Sequence, residues 1–286
     1  MLQEIRDLGF DYAELSHGIR LSLLPGVLNA VQNGVIKISS LHNFCPLPIG
    51  VNHASPNIFK FTSTDTRERE NAYKHTLKTL ETAERVNASL IVLHMGAVDT
   101  KDYTHKLLEM VEEGQKDSAK YEKLCVEAQE KREQRKEKHQ TYAYDMLRRI
   151  EEQAGSRGIR LGIENREALE EIPFESDFLF FFREFNSPTI CYWHDTGHAQ
   201  IKENLGFIDH VIHLESMIDR LAGFHIHDVL FPGQDHCPPG AGSIAFQSLA
   251  QFVRPDHIKV FELSPGMPKE EVLGGVQFIK RLWGNE

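Results

Sequence analysis

The feature that most constrains this chain is an alternation. Short β-branched or apolar runs recur along it, each separated from the next by a stretch with helical spacing. The runs at 11–16, 36–42, 90–94, 160–165, 191–195, 223–228 and 259–263 read as strands, and segments such as 68–86 and 207–222 read as helices between them. Connections long enough to cross over make the strands parallel, and a parallel sheet must be covered by helices. Runs such as Leu90-Ile91-Val92-Leu93 suit strands buried on both faces. One stretch breaks the rhythm: 104–154 predicts an extended helical excursion between the third and fourth strands. Within it lies Lys131-Arg132-Glu133-Gln134-Arg135-Lys136-Glu137-Lys138, the most basic run in the chain. Acidic and basic residues balance over 101–138, so this run reads as an exposed helix of mixed sign, not a nucleic-acid patch. No linker rich in Gly, Pro or Ser divides the chain and no repeat is visible. The expectation is one domain over 1–286 with a charged helical excursion at 101–155.

The 286 residues suffice for an α/β barrel, which takes about 250 residues as one unit. No apolar run approaches the roughly 20 residues that cross a bilayer. The opening Met1-Leu2-Gln3-Glu4-Ile5-Arg6-Asp7 lacks the basic-then-apolar pattern of a secretory leader. The expectation is a cytoplasmic protein with no membrane partner. Acidic residues outnumber basic ones by 42 to 32, and a surface of net charge −10 repels a phosphate backbone. This argues against nucleic acid as a partner, although a local basic groove would be compatible with it. Cys45, Cys125, Cys191 and Cys237 are far apart, so they read as reduced thiols, neither a disulfide frame nor a zinc knuckle.

Histidine is abundant, with 15 residues, and its placement is informative. His42 closes Ser39-Ser40-Leu41-His42, and His94 closes Ile91-Val92-Leu93-His94. Glu164 ends Leu161-Gly162-Ile163-Glu164, and Asp195 ends Tyr192-Trp193-His194-Asp195, with His198 one turn later. His225 and His227 lie in Phe224-His225-Ile226-His227-Asp228, and Glu262 in Val260-Phe261-Glu262-Leu263. Singly, each has an ordinary reading: a hydrogen-bonded structural His, a solvated Glu, or a helix start at Asp195-Thr196. Together they place a His or a carboxylate at the end of consecutive strands, where the side chains of a parallel barrel converge. Buried ionisable groups are costly unless paired or metal-bound, so the pattern predicts a shared metal site. Carboxylates and imidazoles without Cys favour Mn, Mg, Co or Zn and exclude a thiolate-type structural zinc. Two carboxylates on opposite sides also supply an acid/base pair around a bound substrate.

These motifs, in this order, resemble the xylose isomerase-like TIM barrels. That superfamily contains sugar isomerases, ketose 3-epimerases, inositol-pathway dehydratases and apurinic endonucleases. The resemblance rests on Leu8-Gly9-Phe10-Asp11-Tyr12-Ala13-Glu14-Leu15, Gly162-Ile163-Glu164-Asn165-Arg166 and Trp193-His194-Asp195-Thr196-Gly197-His198. It continues through His225-Ile226-His227-Asp228 and His236-Cys237-Pro238-Pro239-Gly240-Ala241-Gly242, and so covers nearly the whole chain. It implies one divalent metal held by Glu164, Asp195, His225 and Glu262. Asp228 sets the family's His-x-x-Asp frame on His225, while His227, on the same side of a regular strand, stays an alternative. His198 matches a histidine that contacts substrate oxygen, and His42, His94 and His236 would face the substrate as well.

The activity implied is proton transfer next to a carbonyl of a sugar or polyol, with the metal stabilising enediolate charge. Glu164 and Glu262 would be the catalytic pair, one removing the carbon-bound proton and the other acting on the opposite face. Their protonation would be coupled to metal binding. A second implied reading is a phosphodiesterase of the apurinic endonuclease branch, which uses three zinc ions. His42, His94, Glu164, Asp195, His198, His225, His236 and Glu262 match that set too. The chain departs where the branch has Asp, carrying Gln234 with Asp235 beside it. A keto-inositol dehydratase and a sugar-binding barrel without turnover are further readings; retention of both glutamates weighs against the latter. Homo-oligomerisation is compatible with all of these.

Substrate features are sparse. The arginine that clamps substrate in some ketose epimerases has no equivalent after His225, where Phe231-Pro232-Gly233 intervenes, and no glycine-rich phosphate loop is evident. The loop over 42–61, with Pro46, Pro48 and Pro56, is expected to roof the pocket. The superfamily has eight strands and only seven are recognisable here. Leu2-Gln3-Glu4-Ile5-Arg6-Asp7-Leu8-Gly9 resembles the tail of the helix before the second strand, so the first strand is expected to be missing. That leaves the 11–16 and 259–263 strands with open edges, and Glu262 less rigidly held than Glu164.

Overall fold

A computed structural model describes residues 1–284. Among the described residues there are nine strands: β1 (Tyr12–Leu15), β2 (Lys37–His42), β3 (Leu90–Leu93), β4 (Arg160–Glu164), β5 (Ile190–Asp195), β6 (Leu221–Ile226), β7 (Asp228–Leu230), β8 (Gln234–Cys237) and β9 (Ile258–Phe261). The helices are α1 (Leu2–Asp7), α2 (Leu24–Gln32), α3 (Thr66–Val86), α4 (Tyr103–Glu112), α5 (Ala119–Gly155), α6 (Phe178–Glu184), α7 (Thr196–Asn204), α8 (His210–Met217), α9 (Phe246–Leu249) and α10 (Lys269–Trp283). The sequence alternation thus becomes a seven-stranded sheet in the order β1-β2-β3-β4-β5-β6-β9, with β1 and β9 at its ends. The charged excursion between the third and fourth strands is α4 and the 37-residue α5. Among the described residues no helix is long and apolar enough to cross a membrane.

The chain forms two compact units that interleave along the sequence. The first comprises Met1–Ala97, Lys138–Glu164 and Phe182–Cys191, and the second Val98–Glu137, Asn165–Phe181 and the chain from Tyr192 onward. In the first, β1, β2, β3 and β4 pair in parallel. All four residues of β3 are buried, as a strand covered on both faces requires. The segment after β2 is fastened to α3. Asn43 donates to Thr76 Oγ1 at 2.9 Å and accepts from Thr79 Oγ1 at 2.9 Å, and the Cys45 N–H donates to Thr79 at 3.0 Å. Asp65 caps α3 by accepting from the Arg67 N–H, and Asn87 ends it in the left-handed conformation. Beyond β3, Gly96 has φ +111° and any side chain there would collide with Thr62, whose Oγ1 accepts the Ala97 N–H at 2.9 Å.

In the second unit, β5, β6 and β9 pair in parallel, with β6 buried throughout and β9 only half-buried. Gly223 of β6 leaves room for the Trp193 ring and the Ile258 carbonyl. One expectation is corrected here. The strand read over 223–228 ends at Ile226, because the Thr196 side chain takes over the backbone of His227. Thr196 Oγ1 accepts the His227 N–H at 3.2 Å and donates to its carbonyl at 2.7 Å. The chain then turns into the antiparallel hairpin β7–β8, where the sequence pattern predicts no strand. Asp228 organises the chain around this hairpin. Its carboxylate accepts from the backbone N–H groups of Val229 (2.8 Å), Gly240 (2.9 Å), Gly242 (2.9 Å) and Ile244 (3.1 Å).

The basic run of α5 is occupied internally. Arg132 and Lys136 both bind Asp177, at 2.6 and 3.0 Å, and Arg135 donates to the Asp99 carbonyl at 2.7 Å. These cations face carboxylate and carbonyl oxygens of their own unit, in keeping with a mixed-sign helix.

Candidate metal centre

In the first unit three strand-end groups meet. His42 ends β2, His94 follows β3 and Glu164 ends β4, and all three are buried. His94 Nε2 lies 2.6 Å and His42 Nε2 3.7 Å from Glu164 Oε2, with the two rings edge to face at 4.7 Å. His42 Nδ1 is 2.9 Å from the Asn43 carbonyl, which can only accept, so Nδ1 carries a proton. His94 Nδ1 meets Asn57 Oδ1 at 3.3 Å. An imidazole that donates one N–H to an amide or carbonyl oxygen and turns its other nitrogen to a buried carboxylate is built as metal ligands are. The donor set fits a divalent cation.

The second unit brings together Asp195, His198, His225, Glu262 and His236. Asp195 ends β5 and caps α7, its Oδ1 accepting the His198 N–H at 2.8 Å. Asn165 pins its backbone on both sides, donating to the Asp195 carbonyl at 3.0 Å and accepting its N–H at 2.7 Å. His225, fully buried with the Trp193 ring edge-on at 5.1 Å, lies between two carboxylates. Its Nδ1 is 3.8 Å from Asp195 Oδ2 and 3.0 Å from Glu262 Oε2. Glu262 is 34% exposed where Glu164 is 1%, the contrast expected of a group on an end strand.

Three further residues come in here: His227, held open in the sequence as an alternative to His225, Asp235, named there only as a neighbour of Gln234, and Glu167, which sequence reasoning missed. His227 also reaches Asp195, its Nε2 3.0 Å from Oδ1 and 3.1 Å from Oδ2. Burial opposes a charge on this ring and Asp195 favours one, with a net rise above the usual imidazole range. The position left for a second proton, Nδ1, already accepts the His236 N–H at 2.9 Å. Glu167 and Asp235 form, with His198, a further group able to hold a cation. Burial, then repulsion by Asp235 and Glu171, pushes the Glu167 carboxyl up to about 7. The β7–β8 hairpin carries Asp235 and His236. His236 Nδ1 is 3.0 Å from Asp235 and its Nε2 4.0 Å from Glu262. Burial lowers its pKa, but the Asp235 hydrogen bond and charge outweigh that and raise it to about 9.

A profile of the xylose isomerase-like TIM barrel matches residues 2–282. No curated protein matches the chain in sequence. Similar solved structures include a D-tagatose 3-epimerase-like protein, 15% identical, TM-score 0.69, covering 99% of this chain and 91% of that one. Another is the 3-keto-D-glucoside 4-epimerase of E. coli, 15% identical, TM-score 0.68, covering 98% and 92%. A third is the D-psicose 3-epimerase of Clostridium cellulolyticum H10 with D-tagatose, 13% identical, TM-score 0.66, covering 99% and 92%. Strand order, strand-end histidines and carboxylates, and a match over nearly its whole length agree: the chain belongs to the xylose isomerase-like TIM barrel family.

Proposed function

We propose that the protein is a divalent-metal-dependent sugar epimerase or isomerase that moves a proton next to a carbonyl. The observation that carries this reading is His225, buried between the Asp195 and Glu262 carboxylates. Glu164, at the end of β4, is the proposed fourth ligand. The epimerases among the similar structures support the same chemistry. A bound cation supplies Lewis-acid stabilisation of negative charge on the substrate oxygens. Glu262, partly exposed, takes or returns the carbon-bound proton on one face, and Glu164 acts on the other. His198 and His236 orient substrate hydroxyls, as do His42 and His94. Elemental analysis followed by a screen of ketoses and keto-inositols in deuterated water tests the reading. One ion per chain is expected, with deuterium entering at the carbon next to the carbonyl, and Glu262→Gln abolishing that exchange.

The phosphodiesterase reading keeps one specific support, the His42–His94–Glu164 group with its own cation-binding geometry. Three zinc ions per chain with cleavage of abasic DNA would establish it and displace the epimerase reading. Loss of water from a keto-inositol in the same screen would instead assign a dehydratase.

A further inference from the structure

His225 and His227 both approach Asp195, yet their remaining ring contacts differ. A neutral imidazole has one N–H and one lone pair. At His227 both are committed: Nδ1 accepts the His236 N–H at 2.9 Å, so the proton sits on Nε2 and is donated to Asp195. No lone pair is left for a metal. The residue is held on every side. Thr196 Oγ1 clamps its backbone N–H and carbonyl. The start of α7 packs against the ring at Gly197, where any side chain would collide with it. The His236 ring stacks on it at 4.4 Å, within 7° of parallel.

His236 is itself unusual. It has φ +53°, a left-handed conformation that non-glycine residues adopt only when their surroundings hold them there. Its N–H is held by His227 and its carbonyl accepts the Ser264 N–H at 3.0 Å, two residues beyond Glu262. One imidazole therefore ties the carboxylate at the end of β5 to the hairpin and, through His236, to the segment after β9.

We infer that His227 is a positioning residue that locks the Asp195 carboxylate and the His236 backbone into one fixed relation. The inference rests on reading Asp195 as a metal ligand and excludes His227 from the ligand set. Its two bonds can be removed separately. His227→Asn keeps an oxygen near the Nδ1 position and loses the donor to Asp195. His227→Gln keeps an N–H near the Nε2 position and loses the acceptor for His236.

The test uses the full chain, metal-free and then titrated with Mn²⁺ alone. Nitrogen-15 spectra of the metal-free protein should show His227 protonated on Nε2 and bare on Nδ1. His227→Asn should weaken Mn²⁺ binding by about 10–100-fold, the usual loss for a partner behind a ligand, while His227→Gln stays near wild type. In the same samples the His236 amide should exchange about fivefold faster in His227→Gln, the worth of one hydrogen bond, and remain protected in His227→Asn. A proton on Nδ1, or equal effects of the two variants on both readouts, overturns the inference. If wild type takes up no Mn²⁺, the metal reading of Asp195 fails, and the tautomer and the His236 amide still decide whether the clamp exists.

Discussion

Two buried histidine clusters in the second unit grow from alternate residues of the same strand, and they differ in kind. Tyr192 and His194 point to one side of β5, Trp193 and Asp195 to the other. On the first side every proton has a place. The Glu203 carboxylate accepts from Gln200 Nε2, which turns Gln200 Oε1 toward His210 Nδ1. His210 Nε2 therefore accepts from His194 Nε2 at 2.9 Å. His194 Nδ1 then accepts the Tyr192 hydroxyl at 2.9 Å, and Tyr192 accepts from His213 Nε2 at 2.7 Å. Burial holds His194, His210 and His213 well below the usual imidazole range, so all three stay neutral. On the other side, Asp195 and Glu262 share the His225 imidazole, with His227 also against Asp195 and His236 against Glu262. The first network is closed on itself; the second gathers the carboxylates and imidazoles of the proposed cation site.

The comparison can be broken most severely at Glu262. Glu262→Gln keeps the shape of the side chain and removes the proposed base, and turnover should fall by about 10²–10⁴-fold with the melting temperature nearly unchanged. A similar loss of turnover in Tyr192→Phe would erase the distinction between the clusters. Tyr192→Phe is instead expected to act on stability alone. It strands the His194 and His213 nitrogens without the hydroxyl and should cost about 1–3 kcal/mol in denaturant unfolding, leaving Mn²⁺ affinity as in wild type.

The smallest effect per step is in acid. His210 has its pKa lowered to about 3, and on unfolding it regains an ordinary imidazole value near 6.5. Between those values the unfolded chain binds the extra proton, so stability falls as pH drops, by about 1.4 kcal/mol per pH unit for each such histidine. The loss begins below about pH 6.5. Denaturant midpoints from pH 7 to pH 4 should show this slope, and a variant with His210 replaced by Asn should show it reduced. An unchanged slope would place the acid sensitivity elsewhere.

Much of this was legible in the sequence. The seven strands follow from the alternation of apolar runs with helical stretches, and the His and carboxylate residues at their ends were read directly from the sequence. The His194 cluster was not separated from Asp195, although period-two alternation alone puts adjacent residues on opposite faces. The β7–β8 hairpin was invisible for a different reason. It begins where a threonine hydroxyl replaces a backbone partner at His227, and local propensity does not record a side chain arriving from another element. Asp235, His236 and Glu167 depend on that hairpin or on burial it helps create, so their grouping could not precede it. The sequence placed Glu262 beside an open sheet edge, from seven recognisable strands where the resembled superfamily has eight.

Asp228 has a consequence for timing. Four backbone amides from two separated stretches converge on its one carboxylate, and three of them come from the stretch beyond the hairpin. The amides of Gly240, Gly242 and Ile244 are therefore expected to exchange at similar rates instead of grading along the loop. Removal of that one carboxylate, as in Asp228→Asn, is expected to speed exchange at all three together.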